Sequence, residues 1–370
     1  MQLSALVLVA ALFLSTATAA TGQSTNPVLG LLLPPEEPEA ASLSNGVLLA
    51  VAEANASSTR KVSVVIRGRV GQWGADAVEA ARMVLDDGAL GLISPPDGAA
   101  THLALQVAGR TAVPVITLCG DSSVSRTGVP WMLRVVPRTT EEAEALLKGI
   151  KPGTGEPAWT AVVPGGRAGR EITNDLNAAA RAAHCRLSEI VRLDSPLTNA
   201  QAICDRLVAA NPSGILLWLA PGEAGLFVKQ LRTAGFTGVL AGPARLNCPV
   251  FTSTAGSALE GFMVPGILLS ERDQAAVLHF AEGLKNRFGC PPDYTSAVSH
   301  DAALLLIRIL GQTDASDLPR AFPLGFSLPG ASGLLTFDAA GNRILGLRLL
   351  KAERGSFVEM EPLPDRSSQH

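Results

Sequence analysis

The sequence contains few charged and few aromatic side chains. Charged residues make up 17% of the 370 residues and aromatic residues 4%, with Tyr294 as the single tyrosine. The formal net charge is -3, and there is no run of five or six like charges. Nucleic acids and anionic membrane surfaces attract clustered positive charge, so neither is expected as a partner. Apolar residues, at 47%, are numerous enough for a large buried core, which excludes a disordered chain.

The sequence also lacks the short motifs of common enzymes and metal proteins. It has no G-x-S-x-G, H-E-x-x-H, P-loop or G-x-G-x-x-G motif. Its histidines are scattered along the chain, at His102, His184, His279, His300 and His370. A triad of Ser122, His300 and Asp121 is one hypothesis for these side chains, and a polar cleft wall is the alternative. We therefore expect a non-enzymatic protein with no metal and no cofactor.

Five cysteines are present, and no two of them form a C-x-x-C pair, which excludes a zinc ribbon and a thioredoxin motif. Their odd number leaves two alternatives. One is a disulfide between Cys185 and Cys204, which an oxidising compartment would permit. The other is a set of buried free thiols.

The first twenty residues have the pattern of a secretory signal peptide. An apolar run from 3 to 14 is too short to cross a bilayer, and the small residues Ala17-Thr18-Ala19-Ala20 follow it. No Lys or Arg precedes this run, so a buried helix is the alternative. Beyond residue 25 no apolar run reaches the roughly 18 residues that a membrane span needs. We predict a signal peptide at 1–20 and a soluble mature chain that is exported and does not span the membrane.

Short apolar segments alternate with longer segments of helical period over most of the chain. A βαβαβ pattern runs from 28 to 117, and a second series of the same kind runs from 158 to 241. Continuously apolar strands joined by crossover helices form parallel sheets that are buried on both faces. We therefore predict an α/β protein with two Rossmann-like lobes, each built on a parallel sheet.

The loops at the carboxyl ends of the predicted strands are candidate ligand sites, because helix N-termini converge there in a parallel sheet. Arg167 lies in a Gly-rich loop of this kind and is a candidate partner for a carboxylate or phosphate. The alternative for this loop is a tight left-handed turn with solvated arginines. Asp121 and Ser122 follow another strand, where they could bind hydroxyl, amide or ammonium groups. The alternative for Asp121 is an N-cap of the next helix.

Several short segments occur in an order and spacing that resemble a known family. They are Gly30-Leu31-Leu32, Val78-Glu-Ala-Ala-Arg82, Asp86-Asp-Gly-Ala89, Gly109-Arg-Thr-Ala-Val-Pro-Val-Ile116, Gly128-Val-Pro-Trp-Met-Leu-Arg134, Gly261-Phe262 and Gly333-Leu-Leu-Thr-Phe-Asp-Ala-Ala-Gly-Asn342. Together, residues 27 to 361 resemble the type I periplasmic binding proteins of the branched-chain amino-acid group. The resemblance implies two Rossmann-like lobes with three hinge crossings, a small-molecule ligand captured between them, and delivery of that ligand to an ABC permease.

The resemblance also implies lobes that are discontinuous in sequence. The N-terminal lobe would comprise residues 26–137 and 266–328, and the C-terminal lobe would comprise residues 138–265 and 329–361. The tail at 362–370 is expected to be disordered.

The ligand-binding loops of this family, matched onto the chain and combined with the polar candidates above, give a set of predicted ligand-binding residues. The set is Gly98, Ala99, Ala100, Gly120, Asp121, Ser122, Arg167, Ala168, Pro221, Ala244, Arg245 and His300. The match shows departures from the amino-acid binders of the group. Asp121 stands near the position of a hydroxyl residue that holds the ligand carboxylate, Ala168 replaces a tyrosine, and Ala244 replaces the acidic residue that pairs with the ligand ammonium.

These departures weaken both charge partners of a bound amino acid. Removing the charges of a zwitterion from water is costly unless each is paired, so the cleft should not hold a branched-chain amino acid tightly. A small acid held by Arg167 or Arg245 and a polar neutral molecule held by Asp121 are two alternatives. A third is a ligand-sensing or scaffold protein that uses the same fold without a transport role.

Overall fold

The computed structural model describes residues 26–34, 37–69, 74–150, 158–193, 197–267, 271–312 and 327–360. The predicted signal peptide at 1–20 and the predicted tail at 362–370 lie outside these residues. Within the described ranges, no helix combines the length and the apolar character that crossing a membrane requires.

Strands and helices alternate along most of the described chain, as the sequence pattern predicts. The strands are β1 Val28–Leu32, β2 Ser63–Arg67, β3 Ala89–Ser94, β4 Val115–Thr117, β5 Met132–Arg134, β6 Ala158–Pro164, β7 Arg186–Leu193, β8 Gly214–Leu217, β9 Val239–Ala241, β10 Met263–Ile267, β11 Leu328–Gly330, β12 Gly333–Leu335, β13 Leu347–Glu353 and β14 Ser356–Glu359. The helices are α1 Ala40–Ser57, α2 Ala75–Leu85, α3 Gly98–Thr111, α4 Thr139–Gly149, α5 Gly166–Ala182, α6 Ala200–Ala210, α7 Pro221–Thr233, α8 Pro249–Ala255, α9 Glu271–Phe288 and α10 Tyr294–Gln312.

The first lobe is built on a five-stranded sheet in the order β2-β1-β3-β4-β5, with every neighbouring pair parallel. Its strands are apolar at successive positions because helices cover both faces of the sheet. Leu29 and Leu31 pack with α1 and α10 on one face. Leu32 and Leu92 pack with α2 and α3 on the other. The carboxyl ends of the strands therefore share one open edge.

The second lobe is built on a seven-stranded sheet in the order β14-β13-β10-β9-β8-β6-β7. Strands β6 to β10 run parallel, whereas β13 and β14 form an antiparallel hairpin at one edge. Trp159 and Leu176 belong to the core between this sheet and helices α4 and α5. Leu217 and Phe227 belong to the core on the opposite face, under α6, α7 and α8. The fold class of two parallel-sheet lobes is thus confirmed.

The chain passes between the two sheets three times. It leaves the five-stranded sheet after β5, because α4 packs on α5 and β13 of the second lobe. It returns after β10, since α9 packs on α1, and crosses again between β12 and β13. Strands β11 and β12 pair with each other and contact α9 and α10. The three hinge crossings of the predicted fold are present.

The strand pairing also bears on where the crossings lie. Residues 266 and 267 are the end of β10 and pair with β13 in the seven-stranded sheet. The β11–β12 hairpin packs beside α9 and α10, on the side of the first lobe. The division of the chain into residues 26–137 with 266–328 and residues 138–265 with 329–361 stays a prediction.

Helices α1 and α10 approach each other closely at Gly46. A methyl group added at Gly46 would lie 2.2 Å from the backbone oxygen of Ser296 and 2.2 Å from Ser299 Oγ. Both atoms belong to α10, and the Ser296 oxygen is part of the backbone, so it cannot rotate away. The absence of a side chain at Gly46 therefore sets the spacing of this helix pair.

We expect Gly46→Ala to lower the free energy of unfolding by about 2 kcal/mol, because the added methyl group forces the two helices apart. Urea unfolding followed by circular dichroism measures the change. Gly311→Ala is the matched control, since Gly311 is in α10 and a methyl group there would meet nothing within 4 Å. That control should gain about 0.5 kcal/mol from its better helix propensity. Equal stability of the two variants would contradict the packing argument.

Candidate ligand-binding cleft

A cavity of about 320 Å³ lies between the two lobes. It is lined by loops that follow β3, β4, β6, β8 and β9, which is where parallel sheets present loops and helix N-termini. The first lobe contributes Pro96, Asp97, Gly98, Ala99, Leu118, Cys119, Gly120 and Asp121. The second lobe contributes Pro164, Arg167, Ala168, Glu171, Ile172, Asp175, Trp218, Leu219, Ala220, Glu223, Pro243 and Arg245. A ligand in this cavity would contact both lobes at once.

Most of the predicted ligand-binding residues line this cavity. They are Gly98, Ala99, Gly120, Asp121, Arg167, Ala168 and Arg245. Ala100, Ser122, Pro221 and Ala244 are sequence neighbours of lining residues but are not part of the lining. Direct contact of the lining residues with a ligand stays a prediction.

Ala100 and Pro221 are buried in the first turns of helices whose preceding residues reach the cavity. The Ala100 N–H donates to Asp97 Oδ1 at 2.7 Å, so Asp97 caps α3. Pro221 is the first residue of α7, where a missing N–H costs no helical hydrogen bond. Both residues hold their helices in place behind the lining.

His300 lies outside the cleft, which corrects its prediction as a ligand-binding residue. Its Nε2 is 3.0 Å from Glu53 Oε2 of α1, and its ring packs edge to face against Phe280 of α9 at 5.0 Å between centroids. Burial alone would lower the pKa of His300, but hydrogen bonds that its ring donates to the carboxylates of Asp301 and Glu53 raise it to about 9. The residue is a buried partner of carboxylates within the first lobe. His300 is therefore not in position to act as the base of the hypothesised triad with Ser122 and Asp121.

Asp121 is held in a turn at the carboxyl end of β4. Its Oδ1 accepts the N–H of Ser123 at 2.7 Å, which forms a local turn. The N-cap of the short helix at 124–126 is Ser123, so Asp121 is not the N-cap that the alternative predicted. Arg134 fixes the same turn, because its Nη1 donates to the Asp121 carbonyl oxygen at 2.9 Å. The other carboxylate oxygen lies over the start of α3, since a methyl group at Gly98 would be 2.4 Å from Asp121 Oδ2. The side chain thus both caps a turn and faces the cavity.

Arg245 is already paired across the cleft. Its Nε lies 3.0 and 2.9 Å from the two carboxylate oxygens of Glu39, and Nη2 also donates to Glu39. Nη1 donates to the carbonyl oxygen of Pro96 at 3.3 Å. Burial would lower the pKa of Arg245, but the charge and hydrogen bonds of Glu39 raise it. The guanidinium therefore joins the lobes and has no charge left over for an acidic ligand.

Other hydrogen bonds also cross between the lobes. The N–H of Ser122 donates to Asp175 Oδ2 of α5 at 3.1 Å. The N–H of Tyr294 donates to the carbonyl oxygen of Asn247 at 3.2 Å. Burial raises the pKa of Asp175, and the charge of Asp121 adds to that increase. These contacts make the structure a closed arrangement of the two lobes.

The Gly-rich loop after β6 is a tight turn that leads into α5. Gly166 has a φ of 69°, in the left-handed region that favours glycine, and Arg167 and Arg170 are exposed. This agrees with the alternative of a turn with solvated arginines. Arg167 nevertheless lines the cavity, and so does Ala168 beside it. The small side chain of Ala168 occupies less of the cavity than a tyrosine at this position would.

Glu142 of α4 is a cavity residue that the sequence analysis missed. It is 6% exposed, and its Oε1 accepts the N–H of Ala244 at 2.8 Å. Among the described residues its Oε2 has no hydrogen-bond partner. Burial raises the pKa of Glu142 to about 8. The sequence did hold one indication of this role. Glu142 lies one helical turn before the buried Leu146, which puts a carboxyl group on an otherwise apolar face of the helix.

Tyr294 and Thr139 also line the cavity and were missed. Tyr294 begins α10, and its pKa is raised by burial and by the nearby charge of Glu142. Thr139 begins α4, and its N–H donates to the Gly120 carbonyl oxygen at 2.8 Å. Both positions depend on how helices from distant parts of the sequence meet at the cleft.

The described residues contain no cluster of three or more His, Cys, Asp and Glu side chains that could hold a metal ion. All five cysteines are free, so the alternative disulfide between Cys185 and Cys204 is not formed. Cys119 lines the cavity, but burial raises its pKa to about 12, which keeps it in the unreactive thiol form. The site offers binding groups rather than an activated nucleophile.

The fold and the cleft between its lobes are those of a periplasmic binding protein. Residues 30–322 match the family model described as periplasmic binding protein, and the chain belongs to this family. Its members bind small molecules and work with ABC transporters in the periplasm. The resemblance drawn from the sequence is confirmed.

Solved structures of solute-binding proteins share this fold at low sequence identity. A leucine-binding protein from Thermotoga maritima is 19% identical, with a TM-score of 0.77 over 92% of this chain and 99% of that one. A solute-binding protein of R. palustris in complex with benzoate is 20% identical, with a TM-score of 0.79 over 90% and 95%. A substrate-binding protein from Streptococcus pneumoniae in complex with isoleucine is 15% identical, with a TM-score of 0.79 over 90% and 100%. No curated protein matches this chain by sequence.

We expect the stability of the protein to fall between about pH 6 and pH 8 by about 1 kcal/mol per pH unit because of Glu142. Its pKa is raised from 4.5 to about 8 in the folded state, so the folded protein keeps a proton that the unfolded chain releases. This stabilisation is complete near pH 4.5 and is lost as the pH rises to 8. Urea unfolding at several pH values should show a flatter dependence for Glu142→Gln. A slope that is the same in parent and variant would contradict the assignment.

We expect Arg245→Ala to lower the free energy of unfolding by about 3 kcal/mol, because it leaves the buried Glu39 carboxylate without its partner. The double variant Glu39→Gln with Arg245→Gln should recover most of this loss, since neither side chain is then charged. Chemical unfolding of the three proteins measures both effects. If Arg245→Ala were as stable as the parent, the ion pair would contribute nothing to the free energy of unfolding.

Proposed function

We propose that the protein is an exported solute-binding protein that captures a small ligand between its lobes and delivers it to an ABC-type permease. The observation that carries this proposal is the cavity of about 320 Å³ enclosed by loops from both lobes. Pockets of this size suit small organic ligands. Because the ligand contacts both lobes, its binding would favour the closed arrangement that a permease can distinguish from the open one.

The proposal includes a ligand other than a standard branched-chain amino acid. The geometry of the cleft supports this in two ways. Arg245 is engaged with Glu39, so it is not available for a ligand carboxylate. Ala168 and Ala244 offer no side-chain group for either end of an amino acid. A zwitterion would enter without the partners that offset the loss of its hydration.

A binding role rather than catalysis is part of the same proposal. Members of the family are ligand-binding components of transporters, which is consistent with it. The cavity holds a thiol with a raised pKa and carboxyl groups, but His300, the proposed base, is in a different part of the first lobe.

Ala168→Trp should remove ligand capture and leave the fold intact, because Ala168 is exposed at the cavity wall and an indole there would fill the space. Native mass spectrometry of protein exported to the periplasm measures the mass of any retained small molecule. Ala182→Trp is the matched control, since Ala182 is exposed at the far end of the same helix, α5.

The parent and Ala182→Trp should carry a small molecule that heating with acid releases, and Ala168→Trp should carry none. If Ala168→Trp retained the same molecule in the same amount, the interlobe cavity would not be the binding site. Thermal unfolding of the three proteins checks that the difference does not come from misfolding.

A further inference from the structure

We infer that the ligand of this cleft is a small organic cation, namely a protonated amine with an apolar body and no carboxylate. The inference rests on the proposed function, because it names the class of molecule that the same cavity would take. It differs from the amino-acid and benzoate ligands of the structural neighbours. Four features of the described residues carry it.

The first feature is the charge of the lining. The carboxyl groups that face the cavity are those of Glu39, Asp97, Asp121, Glu142, Glu171, Asp175 and Glu223. The cationic groups in the same lining are Arg167 and Arg245. Arg245 is neutralised by Glu39, and Arg167 is exposed. The cavity therefore carries an excess of negative charge, which attracts cations and repels carboxylates.

The second feature is the start of α3, a place where an anion would be stabilised by helix N–H groups. Two carboxylates of the protein already occupy it. Asp97 caps the helix through the Ala100 N–H, and Asp121 Oδ2 lies against Gly98 at the first turn. An incoming ligand carboxylate would meet these two negative charges at short range. The protein thus supplies its own anions where the ligand's carboxylate would have to bind.

The third feature is a pair of carboxylates brought together by lobe closure. Asp121 belongs to the first lobe and Asp175 to the second, and Asp175 accepts the N–H of Ser122, the neighbour of Asp121, at 3.1 Å. Asp175 is 8% exposed, so water screens the repulsion between the two charges poorly. A cation placed between the lobes would offset this repulsion. Such a ligand would stabilise the closed arrangement, whereas an anion would oppose it.

The fourth feature is Glu142, a buried carboxyl group with an unused oxygen. It is 6% exposed and lines the cavity, and Oε2 has no partner among the described residues. Without a bound ligand, the raised pKa keeps a proton on this carboxyl group, and a cationic ligand beside it would favour the ionised form, whose Oε2 then accepts a hydrogen bond from the ligand. An ammonium group has three donors and no acceptor, so it suits a lining of several carboxyl groups better than a hydroxyl group does. Glu142 therefore favours a cationic donor, which would use this carboxyl group in its charged form.

The rest of the cavity lining indicates the chemical character of the uncharged part of the ligand. Leu118, Val136, Trp218 and Val298 present apolar side chains to the cavity. Burial of apolar ligand surface against them would supply affinity, while the carboxylates would fix the position of the charged end. The structure assigns the cleft to an amine that carries an aliphatic or aromatic group.

Isothermal titration calorimetry at pH 7 with four matched probes tests this inference. The probes are 3-methylbutylamine, 3-methylbutan-1-ol, 4-methylpentanoate and leucine, which share a branched aliphatic body and differ in their charged groups. We expect the amine to bind at least tenfold more tightly than the alcohol, with no saturable binding of 4-methylpentanoate or leucine. If the alcohol, the acid or leucine binds as tightly as the amine, or if the amine does not bind, the inference is overturned.

Two isosteric variants locate the charge dependence. Asp175→Asn and Glu142→Gln should each weaken amine binding at least tenfold and leave alcohol binding unchanged, because neither variant can form the carboxylate that pairs with an ammonium group, and each keeps an oxygen acceptor. Glu144→Gln is the control, since Glu144 lies on the same helix as Glu142, is 36% exposed and pairs with Lys148. Amine affinity that is unchanged in both cavity variants would overturn the inference. Tight binding of the acid would overturn this inference alone, whereas tight binding of leucine would also overturn the altered specificity under the proposed function. Capture of a small ligand in the cleft is tested separately, by the Ala168→Trp comparison.

Discussion

Charge that is buried between two closing lobes has to be matched, and this constraint shapes the whole cleft. The Glu39 carboxylate is 4% exposed and is paired by Arg245 from the opposite lobe. Asp175 is bonded by the backbone of Ser122, whereas Glu142 keeps one oxygen free toward the cavity. The fold brings these groups together because the carboxyl ends of both parallel sheets face the same space. A ligand that binds there has to pair with the buried charges and hydrogen-bonding groups that the protein does not pair itself.

The same constraint underlies the proposal that the ligand differs from an amino acid or an aromatic acid. A cleft for a carboxylate leaves helix N–H groups open to the ligand, but here Asp97 and Asp121 lie at the start of α3. Arg245, the residue that could have held an acid, joins the lobes instead. Family membership thus defines the two-lobe architecture, while the paired and unpaired charges of the cleft define what the architecture can hold.

The sequence predicted the fold well because its signals are local. Continuous apolar strands such as β1 and β3 and helices of regular period such as α1 and α2 indicate a buried parallel sheet. Loops at strand ends then gave most of the cavity lining. Glu142 and Tyr294 were missed because they lie inside helices, where nothing in the adjacent residues shows that a distant loop packs beside them.

By itself, the sequence predicted that two parallel sheets form and which loops at their strand ends line the cavity. The absence of charge partners for an amino acid stays a prediction. Only the tertiary structure decided which polar residues are used within the protein. His300 pairs with Glu53 inside the first lobe, Arg245 pairs with Glu39 across the cleft, and Glu142 turns a carboxyl group into the cavity. Hydrophobic periodicity depends on neighbours in the chain, whereas the pairing of buried charges depends on which side chains the fold brings within a few ångströms.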